Sequence, residues 1–121
     1  MNTITEELKQ AVSEIKPAMI ATADKNGQPN VSPKGSLRVL DDKHLVFADL
    51  RSPQTVKNLQ ENPYISLIGL DAETRKGWRV WGKADAILTS GDLFDKFSSE
   101  YISKGKVNHV VKVIVEKQVV F

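Results

Sequence analysis

The sequence predicts a mainly β domain, a small antiparallel barrel with helices at its periphery. Two observations lead to this fold class. Six runs rich in apolar and β-branched residues are typical of strands, and most of them are separated by short turns containing glycine, proline, asparagine or aspartate. Three amphipathic segments are typical of helices at the connections. This arrangement suits an antiparallel barrel better than the regular strand and helix alternation of a parallel sheet.

The first half of the chain supplies one helix and three strands. TEELKQAVSEI spaces its apolar residues along one helical face, and the following Lys16-Pro17 ends that helix, because the residue before a proline avoids helical dihedrals. AMIATA is a short strand followed by an Asn26-Gly27 hairpin turn. PNVSPKGSLRVL is the returning strand, bulged around its Pro-Lys-Gly, and HLVFAD is a buried strand.

The second half supplies two helices and three strands. SPQTVKNLQEN is a short helix that ends at Asn62-Pro63, and YISLIGL is a strand. GWRVWGKADAIL alternates as a long strand that presents two tryptophans, on opposite faces. GDLFDKFSSEYIS is a helix with an aromatic packing stripe, and VNHVVKVIVEKQVVF is a strand throughout.

Composition excludes several classes of function. The 121 residues suit one domain, residues 1–121, and the net charge of +2 is spread along the chain, so no nucleic-acid partner is indicated. No apolar run approaches the length of a membrane span, and the absence of cysteine excludes a disulfide scaffold and a thiolate metal site. With only two separated histidines, we expect no metal site. We also expect no membrane partner and a cytoplasmic location.

The start of the SPQT helix is the first candidate site. Ser52 before Pro53 is a strong helix-start signal, in which the serine hydroxyl is expected to accept from a helix amide. The amides of Gln54 and Thr55 would then point outward, where the helix dipole favours an anion. The alternative is an ordinary helix start with no ligand.

The second candidate is a polar row in VSPKGSLR. Ser32, Lys34, Ser36 and Arg38 recur at every second position, so an extended segment would place them on one face. Two cations and two hydroxyls on one side suit a phosphate or the polar edge of a ring. A solvated outer strand face is the alternative.

The tryptophan strand is the third candidate. Gly82 is a position where a ligand or another backbone can approach closely, and Trp78 and Trp81 flank it. Either tryptophan suits a flat ring, a subunit contact or the core. His109 shares the spacing of the neighbouring valines and reads as a structural histidine. No residue stands out as a catalytic acid or base, so reactivity would come from a cofactor.

The succession AMIATADKNGQPNVSPKG, SLRVLDDKHLVFAD, SPQTVKNLQENP and GWRVWGKADAI resembles the small members of the pyridoxamine 5'-phosphate oxidase-like family, the FMN-binding split β-barrels. The resemblance spans nearly the whole chain. It implies a six-stranded antiparallel Greek-key split barrel that forms a homodimer, with FMN in two clefts at the interface.

The resemblance also implies roles for individual residues. Ser32, Pro33 and Lys34 would line the isoalloxazine ring, and Arg38 with the Ser52 helix start would meet the phosphate. Asn58 matches a polar position directed at the cofactor, and Trp78 or Trp81 would reach the flavin. We also expect the apolar end, Val119 to Phe121, to pack at the dimer interface.

The departures from the family pattern keep several functions open. Gln54 and Thr55 stand where many relatives have a basic pair, and no basic carboxy-terminal substrate segment is present, which disfavours oxidation of pyridoxamine phosphate. The first hypothesis is an FMN oxidoreductase or electron carrier, reduced by NAD(P)H or a protein donor. The alternatives are a non-catalytic module holding flavin, haem or a deazaflavin, and a cofactor-free dimeric interaction protein.

Overall fold

A computed structural model describes residues 3–121 and confirms a mainly β fold. The described chain has three helices, which are α1 (Glu6–Glu14), α2 (Pro53–Glu61) and α3 (Asp92–Glu100). Its strands are β1 (Ala18–Ala23), β2 (Pro29–Lys34), β3 (Arg38–Val39), β4 (His44–Asp49), β5 (Tyr64–Leu70), β6 (Gly77–Leu88) and β7 (His109–Val120). No helix in this part of the chain has the length and apolar character needed to span a membrane.

The strands form one antiparallel sheet in the order β2-β1-β5-β6-β7-β4-β3. Its two edge strands, β2 and β3, are consecutive in the sequence and are joined by residues 35–37. The sheet therefore curls into a split barrel in which a short covalent link, and no strand pairing, connects the edges.

The number of strands differs from the six that the sequence predicts, because PNVSPKGSLRVL forms two strands, β2 and β3. The break falls where Gly35 begins a turn and Ser36 and Leu37 are buried. This turn carries the chain from one edge of the sheet to the other, so its residues lie beside the split.

The main core lies inside the curl of the sheet. Ile20, Leu67 and Val80 are fully buried on the inner face, and α1 covers one end of the barrel with Leu8 and Val12. A smaller cluster packs α3 against β4 and β7 around Phe97. Because β4 contributes to both clusters, its run from Leu45 to Asp49 is buried throughout, as its unbroken apolar pattern predicts.

The tryptophan strand β6 has its two faces as predicted. Trp78 points inward and is fully buried, and its indole Nε1–H donates to the carbonyl of Ile15 over 3.3 Å. Trp81 points outward. A bulge lies at Trp81/Gly82, and a Cβ on Gly82 would stand 2.1 Å from the carbonyl oxygen of Ile114. The glycine thus permits a close approach of the backbone of β7.

Candidate functional site

A cavity of about 500 Å³ opens beside the split in the barrel. Its walls come from residues 32–36, from Ala48 and residues 50–52 between β4 and α2, and from Tyr101 and Lys104 after α3. Three of the lining side chains are cationic, namely Lys34, Arg51 and Lys104. The cavity therefore joins a strand end, a helix start and a helix end around a cationic wall.

Lys34 is the unusual member of this wall, because its residue is only 8% exposed. Its ammonium donates a hydrogen bond to the hydroxyl of Ser52. Burial lowers the pKa of Lys34, and the charge of Asp49 raises it in part. An ammonium has three N–H donors, so Lys34 can bind a further acceptor in the cavity beside its bond to Ser52.

Ser52 does not cap α2 in the predicted way. The Ser52 side chain makes no cap hydrogen bond to the helix; its hydroxyl and its backbone N–H both donate to Oδ1 of Asp49, each over 2.8 Å. The sequence prediction was wrong on this point because a buried carboxylate three residues earlier competes for the serine. The first-turn amides of Gln54 and Thr55 are consequently left without the cap that Ser52 was expected to supply.

Asp49 continues this polar network to β7. Its Oδ2 lies 2.7 Å from Nδ1 of His109, and the residue is 2% exposed. Burial opposes ionisation of the carboxyl, but hydrogen bonds from His109 and Ser52, with the charge of Lys34, hold its pKa below the usual value. The result is a connected row of Lys34, Ser52, Asp49 and His109, which we call the polar wall.

The other predicted hydroxyls and amides take internal partners. Ser36 Oγ accepts from the amide of Ala48 over 3.0 Å, which fixes the turn after β2 against β4. Ser32 and Thr55 join their hydroxyls over 3.0 Å and so connect β2 to α2.

Within α2, Gln54 and Asn58 are linked side chain to side chain. Gln54 Nε2 donates to Asn58 Oδ1 over 2.7 Å, and Asn58 Nδ2 donates to the hydroxyl of Thr22 over 3.1 Å. Asn58 is buried, so its amide joins α2 to β1. These contacts fix α2 against β1.

Arg38 and the tryptophans lie apart from this cavity. Arg38 follows the break after β2 and does not line the cavity; its guanidinium pairs with Glu100 over 2.6 Å and lies 4.2 Å from the ring centre of Phe97. Trp78 is in the core. Trp81 lines a second cleft of about 370 Å³ on the outer face of the sheet.

Sequence reasoning missed several residues that the fold brings to the site. The sequence reading took Asp49 as the end of a strand and Tyr101 as part of the packing stripe of a helix, and it gave Lys104 no role. The local signal for Asp49 was its position three residues before Ser52, a spacing at which an aspartate accepts from a following amide. The contacts of Lys34 and His109 span 18 and 60 residues of sequence and had no local signal.

These features define a class of protein: a split barrel with a cationic cavity of cofactor size beside its open edge. The family model described as pyridoxamine 5'-phosphate oxidase matches residues 4–120. The chain belongs to the pyridoxamine 5'-phosphate oxidase family.

Solved structures agree with this assignment. HupZ of Group A Streptococcus is 32% identical, with 98% of this chain and 94% of that chain covered and a TM-score of 0.86. An FMN-binding protein from Syntrophomonas wolfei is 18% identical, with 95% and 84% covered and a TM-score of 0.86. The heme storage protein HutZ from Vibrio cholerae is 19% identical, with 98% and 94% covered and a TM-score of 0.73. The last two likenesses show the fold alone.

A curated relative matches part of the chain. An uncharacterized protein from Methanocaldococcus jannaschii is 41% identical over 66 residues, which are 53% of this chain and 44% of that protein. The match thus spans less than half the length of that relative.

Proposed function

We propose that this protein binds FMN in the cavity beside the split and that Lys34 takes its 5'-phosphate. The observation that carries the proposal is the buried ammonium of Lys34, which lines the cavity and has donors beyond its bond to Ser52. A buried cation is costly without an anion nearby, and a phosphate in the cavity would supply a second one. Arg51 and Lys104 line the same cavity and add positive charge.

The size and donors of the cavity fit the cofactor. Its volume of about 500 Å³ is in the range typical of pockets for small molecules. The three lining cations replace the basic pair that many relatives have where this chain has Gln54 and Thr55. The uncapped amides of Gln54 and Thr55 lie two and three residues beyond Ser52 and would add further donors for an anion.

The strand end from Ser32 to Gly35 would hold the isoalloxazine ring. These residues line the cavity next to Lys34, and Pro33 is exposed there. Bound FMN would supply the redox chemistry, while backbone groups of this segment orient the ring and Leu50 and Tyr101 limit the access of water.

We further propose a homodimer that covers the outer face of the sheet. The strand register places Met19, Ile68, Arg79 and Val119 in one row across four strands, and directly opposed residues of antiparallel strands point to the same face. Met19 and Val119 are exposed apolar residues, and Trp81 lies in the next row. A second copy would cover this apolar surface.

The apolar end of the chain supports such an interface. Val120 packs against the core, while Val119 and Phe121 are exposed. The backbone N–H and carbonyl of Phe121 pair with those of Gly77, each over 2.9 Å, so the end is the last part of a strand pair. Replacement of Phe121 by serine keeps that pairing, and we expect it to weaken dimerisation in sedimentation experiments.

We propose that the bound flavin serves an oxidoreductase or an electron carrier. The test is a visible absorption spectrum of the purified protein with and without added FMN, followed by anaerobic addition of NAD(P)H. Flavin bands that bleach indicate an oxidoreductase reduced by a nicotinamide, and bands that persist indicate a carrier or a protein reductant. A protein that remains colourless after incubation with FMN would contradict the proposal and favour an interaction protein or another cofactor.

A further inference from the structure

Lys34 and Asp49 are the buried charged side chains of residues 3–121, and Ser52 joins them. The Ser52 hydroxyl accepts from the Lys34 ammonium and donates to Oδ1 of Asp49 over 2.8 Å. The backbone N–H of Ser52 donates to the same carboxylate oxygen, which fixes the position of the serine. The carboxylate thus holds Ser52 with its oxygen turned toward Lys34.

We propose that Asp49 is a positioning residue that keeps Lys34 in its ammonium form, and that it thereby sets the upper pH limit at which the cavity holds a phosphate. This inference rests on the proposed function, because it takes the cavity beside Lys34 as the phosphate site. Asp49 would act through Lys34 and Ser52 without touching the cofactor.

The other charged groups around Lys34 do not favour its protonation, whereas Asp49 does. Arg51 before α2 and Lys104 after α3 are cations that line the same cavity, and Tyr101 lines it as well. His109 contacts the other oxygen of the Asp49 carboxylate, with its Nδ1 2.7 Å from Oδ2. Asp49 is therefore the anionic group on which the charge of Lys34 depends. The pKa of Lys34 agrees in direction, since burial lowers it and Asp49 raises it in part.

The sign of the pH effect follows from these contacts. Lys34 binds phosphate strongly only when it is protonated, so affinity is lost as pH rises through the pKa of Lys34. In Asp49→Asn the ammonium has lost its buried counter-charge, and it gives up its proton at a lower pH. Affinity for phosphate would then fall at a lower pH than in the wild type, whereas at acid pH it would be equal or tighter.

The experiment compares FMN with riboflavin, which has the same ring and lacks the phosphate. Affinities are measured by flavin fluorescence between about pH 6 and pH 10 for the wild type, for Asp49→Asn and for both in a Lys34→Gln background. The ratio of the two affinities cancels the titration of the ring. We expect the FMN preference of Asp49→Asn to be roughly tenfold smaller than that of the wild type at the alkaline end. In the Lys34→Gln background the Asp49 change should have no effect on the ratio.

Two results would overturn the inference. The first is a ratio of FMN to riboflavin affinity that depends on pH in the same way in Asp49→Asn and in the wild type. The second is a pH shift caused by Asp49→Asn that is equally large when Lys34 is replaced by glutamine. Asp92→Asn, which removes an exposed carboxylate at the start of α3, is the matched control. Thermal melting verifies that each variant is folded, and Ser52→Ala, which removes the bridge and keeps the carboxylate, replaces Asp49→Asn if that variant does not fold.

A cofactor-free readout separates this inference from the proposed function. The ε-carbon resonance of Lys34 reports its ionisation by NMR, and its midpoint should lie at lower pH in Asp49→Asn. If the midpoint moves while the wild type binds no FMN, the coupling of Asp49 to Lys34 stands and the proposed cofactor is wrong. A midpoint that does not move contradicts the inference whether or not FMN binds.

Discussion

The two cavities of this small barrel differ in where their charges lie. Beside the split, Lys34 and Asp49 are buried and linked through Ser52. On the outer face of the sheet, the second cleft is lined by Trp81 and Tyr64, and the cations near those rings are at the surface. A hydrated surface cation contributes little to holding an anion, whereas a buried and partly desolvated one contributes much more. This difference favours the first cavity for the proposed phosphate site and the second cleft for the proposed subunit contact.

The largest effect on stability should come from replacing the core tryptophan Trp78, and it should exceed the effect of replacing Trp81 at the surface. Trp78→Ala removes a fully buried indole and its hydrogen bond to Ile15, so we expect a loss of about 3–5 kcal/mol in the free energy of unfolding. Trp81→Ala, on the outer face, should cost much less in the monomer. Urea unfolding measures both, and equal losses would mean that Trp81 is also part of the core.

The next effect concerns the phosphate. Lys34→Gln removes the buried ammonium, and we expect FMN to bind about 10- to 100-fold more weakly, because a charged hydrogen bond contributes roughly 1.5–3 kcal/mol. Riboflavin affinity should change little. Lys57→Gln, at an exposed position of α2, is the control and should leave both affinities as they are.

A smaller effect should appear in acid. The pKa of Asp49 is held below its usual value, so its carboxylate stabilises the fold above the unfolded pKa of about 3.9, and this contribution is lost as pH falls through the lower folded value. Asp49→Asn lacks this titration. Its free energy of unfolding should therefore fall less steeply below about pH 4 than that of the wild type. Urea unfolding at several acid pH values measures the two slopes, and parallel slopes would assign the acid sensitivity to other carboxylates.

Arg38 should have the smallest effect. Its guanidinium pairs with Glu100, lies on Phe97 and does not line the first cavity, and a partly exposed ion pair contributes about 0–1 kcal/mol to stability. We expect Arg38→Ala to leave FMN affinity within about twofold of the wild type. Calorimetric titration with FMN checks this, and a loss of tenfold or more would return Arg38 to the phosphate site that the family resemblance implied.

The contrast also shows which parts of the molecule can be read from sequence. The unbroken apolar run of β4 and the opposite faces of Trp78 and Trp81 follow from short-range periodicity, and the structure confirms them. The periodicity of VSPKGSLR continues across Gly35, but β2 ends there, and the structure brings Ser32, Lys34 and Ser36 to the cavity while Arg38 pairs with Glu100 outside its lining. The hydroxyl of Ser52 took a carboxylate as partner because folding buries Asp49 beside it, and a helix-start pattern contains no information on that burial.

The most direct test is the ratio of FMN to riboflavin affinity in the wild-type protein, measured by quenching of flavin fluorescence near neutral pH. The two ligands share their ring and differ in the phosphate, so the ratio isolates the contribution of the cationic wall. We expect FMN to bind at least about tenfold more tightly than riboflavin, with a preference that decreases as salt is added. Equal affinities, or no binding of either flavin, would contradict the assignment of the cavity beside Lys34 as the phosphate site.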